Sequence, residues 1–171
     1  MSPGITPGLL LMGVSGSGKT TIGLALAQWL GWRFVDGDDY HPPANVAKMR
    51  AGMPLEDSDR EPWLDRLNAL LRHSAARGEP VVLACSALRA KYRVRLADRV
   101  PGLRMAWLDG DAALIGARVA ARQHRYMPAS LLASQFAVLE PPADAWRMDV
   151  SGEPGTIVAE LAARLGLSPP R

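Results

Sequence analysis

The run Gly13-Val14-Ser15-Gly16-Ser17-Gly18-Lys19-Thr20 satisfies G-x-x-x-x-G-K-[ST] in full, and it constrains this chain more than any other feature. Such a run has to join a strand to a helix. Its glycines let the backbone turn so that N–H groups converge on phosphate, and the helix that follows adds the positive end of its dipole. The flanking residues agree. Leu9, Leu10, Leu11 and Met12 form a short apolar run that reads as a buried strand, and Thr20 to Leu30 carries helix formers ending at Gly31. Gly13, Val14, Ser15, Gly16, Ser17, Gly18, Lys19, Thr20 and Thr21 are therefore the expected nucleotide-binding residues. Lys19 is placed to reach the β- and γ-phosphates and the Thr20 hydroxyl to ligate Mg²⁺, so ATP or a similar triphosphate with Mg²⁺ is the expected ligand.

The rest of the chain repeats the strand-helix alternation. Strands are predicted at Arg33 to Asp36, Val81 to Cys85, Met105 to Leu108 and Arg147 to Val150. Between them fall a helical stretch begun by Pro42 and Pro43 and running through Arg50, and a helix from Pro62 to Arg77 stopped by Gly78. Further helices are predicted from Arg89 to Arg99, from an Asp111 N-cap to Arg122, from Pro128 onward, and at the C-terminus to about Leu165, where Gly166 is the cap. With 171 residues, 48% of them hydrophobic, this is one domain over 1–171. The predicted class is α/β, a three-layer P-loop NTPase fold with a mostly parallel five-stranded sheet.

Charge and cysteine content exclude several classes. The net charge of +3 comes from arginines scattered through the chain, with no basic tail or run, which argues against a nucleic-acid surface. Cys85 is the single cysteine, so no intramolecular disulfide forms, and it is expected in the core of a cytoplasmic protein. No signal-like segment and no apolar run near the roughly 20 residues that span a bilayer is present, so no membrane partner is expected.

The P-loop alone names no reaction. The strand Val81 to Cys85 runs into Ser86 where many P-loop ATPases carry a Walker-B Asp, and no N-K-x-D run of a guanine-reading switch is present. The nearest acids are in Asp36-Gly37-Asp38-Asp39, at the end of the second strand, where polar groups face the ligand crevice of an open parallel sheet. A kinase acting on a hydroxyl needs such a carboxylate to orient and deprotonate it; the plainer reading is a solvated Asp-rich turn. Arg118 and Arg122, spaced i, i+4, share a helix face and are placed to close over the triphosphate, with an exposed arginine pair as the alternative.

Beyond the P-loop the chain resembles the small bacterial-type gluconate kinases. The resemblance rests on Asp36-Gly37-Asp38 with His41-Pro42, Asn45, Lys48-Met49, Gly52, Pro54-Leu55, Asp57, Asp59-Arg60 and Pro62-Trp63-Leu64. It continues through Cys85-Ser86-Ala87-Leu88, Tyr92-Arg93, Ser134-Gln135-Phe136 and Leu139-Glu140. It implies transfer of the ATP γ-phosphoryl to the 6-hydroxyl of D-gluconate in a nucleoside-monophosphate-kinase-like fold with a small lid, here about 118–140, that commonly forms homodimers. Two departures stand out. The family has Gly-His where this chain has His124-Arg125, and Arg89 stands where Lys is frequent, exchanging an ammonium for a planar fork.

The residue chemistry is consistent with a polyhydroxy carboxylate. Such a substrate calls for cationic forks together with mixed donors and acceptors. Arg60, Arg93, Lys48 and His41 supply the first; Asp38, Ser86 and Tyr92 supply the second. Each also has a plain use: Arg60 tying its loop to Asp57 or Asp59, Tyr92 in the core, His41 capping a turn. In the expected mechanism Asp38 is the base or orienter, Asp36 holds Mg²⁺ through water, and Lys19, Arg118 and Arg122 stabilise phosphoryl charge. Competing readings are another small-molecule kinase such as a shikimate kinase, and a non-catalytic ATP-binding module.

Overall fold

The computed structural model describes residues 6–121 and 129–167. Five strands form one sheet: β1 (Gly8–Met12), β2 (Arg33–Asp36), β3 (Val81–Ala84), β4 (Arg104–Asp109) and β5 (Trp146–Asp149). They lie in the order β2-β3-β1-β4-β5, every neighbouring pair parallel, so the sheet is wholly parallel. Leu10 of β1 sits beside Leu83 of β3 on one side and Met105 of β4 on the other. That central place explains why β1 is an unbroken apolar run: both of its faces are covered by helices.

The helices are α1 (Lys19–Leu30), α2 (Pro43–Arg50), α3 (Asp57–Arg77), α4 (Ala90–Ala97), α5 (Ala112–Ala121), α6 (Ala129–Val138) and α7 (Pro154–Arg164). The period-2 alternation of β1 divides the core. Leu9 and Leu11 pack with Ile22 and Leu26 of α1 and Ile157 and Leu161 of α7. Leu10 and Met12 pack with Leu64, Leu67 and Leu71 of α3 and Leu96 of α4 on the opposite face. A third cluster, Val14, Leu88, Ile115 and Leu132, lies under the loops at the strands' C-terminal ends and joins α5 and α6 to the nucleotide loop.

Most predicted boundaries fall within a residue or two of the observed ones. Gly31 and Gly78 take positive φ at the helix ends they were expected to close, and Asp111 caps α5 by accepting the Leu114 N–H at 2.7 Å. The clear exception is α3, which starts at Asp57 and carries Pro62 inside it. Its start is set by Asp59, whose carboxylate accepts the Glu56 N–H at 2.9 Å, and by acids in the first turn that suit the helix dipole. These outweigh the single backbone bond that Pro62 removes. The acidic run after β2 also has regular structure, a 3₁₀ turn over Gly37–Tyr40 capped by Asp36.

Asp57 ties the start of α3 to α4. Its carboxylate accepts the Tyr92 hydroxyl at 2.6 Å and pairs with Lys91. The Lys91 bond, then that of Tyr92, holds its pKa down from 3.8 to about 2. A depressed carboxylate stabilises the fold fully above its unfolded pKa and loses that effect as pH falls through the folded one. The difference in thermal midpoint between wild type and Asp57→Asn should therefore be constant above about pH 5 and shrink as pH falls towards about 2. A gap independent of pH across that window would show that the tie does not form.

Candidate active site

The nucleotide loop is shaped by its neighbours as much as by its glycines. Gly16 has φ +82°, and a Cβ there would lie 2.4 Å from Cγ2 of Val119 on α5. The Gly13 N–H donates to the Ser86 carbonyl at 3.3 Å, joining this loop to the one that follows β3. Lys19 folds back over the loop, its Nζ donating to the carbonyls of Gly13 at 2.9 Å and Val14 at 3.0 Å. Burial pushes the Lys19 pKa down, and the carboxylates of Asp38 and Asp36 act in the opposite direction, with Asp38 the stronger. Thr20 and Thr21 stand exposed in the first turn of α1.

The two acids differ in role. Asp36, at the end of β2, accepts the Asp38 N–H at 3.0 Å and so orders the 3₁₀ turn that carries Asp38. Beneath that turn Trp63 of α3 donates its indole N–H to the Gly37 carbonyl at 2.7 Å and stacks on His41, the ring centroids 4.1 Å apart. Asn45, almost fully buried, donates its side-chain amide to the Asp59 carbonyl at 2.8 Å and to His41 Nδ1 at 3.2 Å. Because Nδ1 accepts, His41 carries its proton on Nε2. Burial lowers the His41 pKa, Asp38 opposes that, and Arg60 reinforces it. Lys19, Asp38, His41 and Arg60 thus form one chain of mutually felt charges, running from the phosphate loop to the start of α3.

The remaining predicted contacts divide. Arg60 donates to the Leu55 carbonyl at 2.7 Å and lies over the Tyr92 ring, and among the described residues no carboxylate pairs with it. Arg89, at the N-cap of α4, acts electrostatically on both Asp57 and Tyr92, and the second cation over the Tyr92 ring is Lys91. Lys48 instead pairs with Asp59 at 2.8 Å and holds α2 against α3. Arg93 is buried, donating to the carbonyls of Ala87 at 2.8 Å and Glu140 at 2.9 Å, so it braces the loop after β3. Ser86 is half-buried in that loop, with Ala87 beside it at φ +46°.

Arg118 stands in the last turn of α5, next to the Val119 that meets Gly16, while Arg122, His124 and Arg125 lie outside the described residues. Cys85 is buried beside Lys19, its thiol pushed up to about 12 chiefly by burial, so it stays protonated and unreactive. A cleft of about 770 Å³ between α4 and residues 140–144 includes no nucleotide-loop residue and is separate from this site. Sequence reasoning did not single out Trp63, Asn45 or Arg89 as site residues. The first two stood in the plain sequence as an aromatic and an amide beside charged motif residues, but their use depends on α2 and α3 meeting.

Mg²⁺ fits the donor set. That ion takes one or two protein oxygens and completes its shell with phosphate and water. The Thr20 hydroxyl and the Asp36 carboxylate are the candidate oxygens.

His41 should titrate below 6.5 in the wild type and show the Nε2–H tautomer by nitrogen-15 NMR. In Asn45→Asp a carboxylate would face Nδ1, favour the imidazolium and raise the pKa above the wild-type value. A wild-type value above 6.5, or an Nδ1–H tautomer, would contradict the assignment.

Comparison with known proteins places this arrangement. Residues 9–142 match a family model described as an AAA domain. A gluconokinase of Gluconobacter oxydans (strain 621H) is 46% identical over 157 residues, covering 90% of this chain and 88% of that one. The crystal structure of a gluconokinase from Sinorhizobium meliloti 1021 superposes with TM-score 0.84 at 41% identity, covering 94% of this chain and 93% of that chain. Shikimate kinase from Aquifex aeolicus, at TM-score 0.55 and 17% identity, shares the fold alone. With the nucleotide loop, the acidic turn and the α2–α3 residues all in one matched segment, the chain belongs to the gluconokinase family of P-loop kinases.

Proposed function

We propose that this protein transfers the γ-phosphoryl of ATP to the 6-hydroxyl of D-gluconate, giving 6-phospho-D-gluconate and ADP. The observation that carries the reading is the continuous set Lys19, Asp38, His41 and Arg60. It brings a phosphate-binding ammonium, a carboxylate suited to a hydroxyl, a neutral imidazole N–H and a guanidinium into electrostatic contact.

In the step itself the gluconate O6 attacks the γ-phosphorus, the bond from that phosphorus to the β–γ bridging oxygen breaks, and ADP leaves. Asp38 orients O6 and receives its proton. Lys19 exchanges the Gly13 and Val14 carbonyls for the phosphate oxygens as charge builds on the transferring group, helped by Arg118 and Arg122. Mg²⁺, when bound, would neutralise charge on the triphosphate, and the residues that would hold it are Thr20 through its hydroxyl and Asp36 through water. The rest of the loop, Gly13 to Gly18 with Thr21, surrounds the triphosphate, with the Gly13 and Ser15 N–H groups held by the Ser86 carbonyl and by Gln135. At the acceptor end Arg60 meets the carboxylate with Arg89 beside it, and His41, Ser86 and Tyr92 serve the hydroxyls. Lys48 and Arg93 act one step back, by holding α2 and the loop after β3. One kinase domain over 1–171 with a lid near 118–140, a homodimeric state and a cytoplasmic location belong to the same proposal. No helix among the described residues is long and apolar enough to cross a membrane.

The test is ADP release measured across gluconate, other sugar acids, neutral sugars and shikimate. Gluconate should be the preferred acceptor, and Asp38→Asn should fold normally and lose about 10²–10⁴ in kcat. Turnover of shikimate but not gluconate, ATP binding with no acceptor turnover, or near-parental activity of Asp38→Asn would overturn the proposal.

A further inference from the structure

The far end of α6 reaches back to the nucleotide loop. Gln135 Oε1 accepts the Ser15 N–H at 2.8 Å, and Gln135 Nε2 donates to the Ser15 hydroxyl at 3.0 Å. One bond would fix a distance; two bonds from a planar amide to the backbone and side chain of one residue also fix its orientation. Ser15 belongs to the stretch whose N–H groups serve phosphate, and an amide oxygen holds that donor without adding negative charge beside the triphosphate.

The same segment grips the other half of the site. The Glu140 N–H donates to the Leu88 carbonyl at 2.8 Å and its carboxylate accepts the Ala90 N–H at 2.8 Å. The Glu140 carbonyl accepts from Arg93 at 2.9 Å. Between these anchors Phe136 and Leu139 pack on the cluster formed by Val14, Leu88, Ile115 and Leu132. Residues 135–140 therefore form a short brace, fastened at one end to the loop that holds the phosphates and at the other to the segment that carries Arg89 and Tyr92.

We propose that Gln135 is a positioning residue for phosphoryl transfer: its two-bond clamp on Ser15, with Glu140 seated on the acceptor-side loop, keeps the nucleotide loop in register with the acceptor hydroxyl. The inference rests on the kinase reaction proposed above. Gln135 acts through Ser15 and not on the reacting atoms. In-line transfer to a bound hydroxyl is sensitive to displacements of about 1 Å, which cost up to ~10²-fold. ATP binding draws on Lys19 and the other loop amides and is far less sensitive. Water needs no alignment with the acceptor loop, so loss of the clamp shifts the balance from transfer towards hydrolysis.

The experiment measures ATP consumed and phosphorylated gluconate formed by the full chain, for wild type, Gln135→Ala and Gln135→Glu. In Gln135→Ala the transfer kcat should fall about tenfold, the KM for ATP should change less than about threefold, and ATP hydrolysed per product should rise about tenfold. Gln135→Glu keeps an acceptor for the Ser15 N–H at the same length. Its coupling should stay within about twofold of wild type while its added charge raises the KM for ATP, and this variant carries the test if the alanine form does not fold. Wild-type kcat and coupling in Gln135→Ala, hydrolysis and transfer falling by one common factor, or loss of coupling in Gln135→Glu equal to that of the alanine form would overturn the clamp alone. A wild type that phosphorylates no acceptor would overturn the kinase proposal and the clamp with it.

Discussion

The site depends on one desolvated cation. Lys19 is held by two loop carbonyls in a setting that disfavours its charge, and Asp38 and Asp36 oppose only part of that penalty. An ammonium kept in this way is pre-positioned for phosphate, and phosphate oxygens are better partners for it than neutral carbonyls. The same arrangement fixes where the acid can stand. Asp38 acts on Lys19 of the nucleotide loop and on His41 beyond the acidic turn, so the two halves of the site share one electrostatic balance.

The surrounding contacts fasten the loops that carry this balance. β1, β2 and β3 end side by side, and their C-terminal ends carry the nucleotide loop, the acidic turn and the Ser86 segment. The Gly13–Ser86 bond joins the loops that follow the neighbouring strands β1 and β3. Trp63 and Asn45 support the acidic turn and His41 from below, and the Lys48–Asp59 pair locks α2 to α3 beside them. A crevice at strand ends is the usual ligand position in an open α/β sheet; here its walls are fastened by buried polar contacts, which confer precision more than stability.

The nucleotide half was legible because its chemistry is local. Eight consecutive residues specify turn, cation and helix start, and the flanking apolar runs gave the strand and helix to within a residue. The acceptor half was legible only as a set of residue types. That Lys48 and Arg93 are spent on Asp59 and on two backbone carbonyls, while Arg60 and Lys91 lie over Tyr92, follows from how α2, α3 and α4 pack, and no spacing rule encodes it. The start of α3 shows the same limit at a smaller scale. A proline that reads as a first-turn residue lies inside the helix because an acid three residues beyond Glu56 supplies a stronger signal. The Ser15–Gln135 contact joins positions 120 residues apart and left no trace in either local sequence.

The central claim is that the phosphate loop and the Asp38–His41–Arg60 group form one site, across which phosphoryl passes to a sugar-acid hydroxyl. Phosphorus NMR of the products formed from ATP and gluconate labelled with carbon-13 at its terminal hydroxymethyl carbon tests it directly. The account predicts one phosphate monoester, coupled to the labelled carbon and formed in equal amount to ADP. ADP accompanied only by inorganic phosphate, or an ester at another carbon, would contradict it.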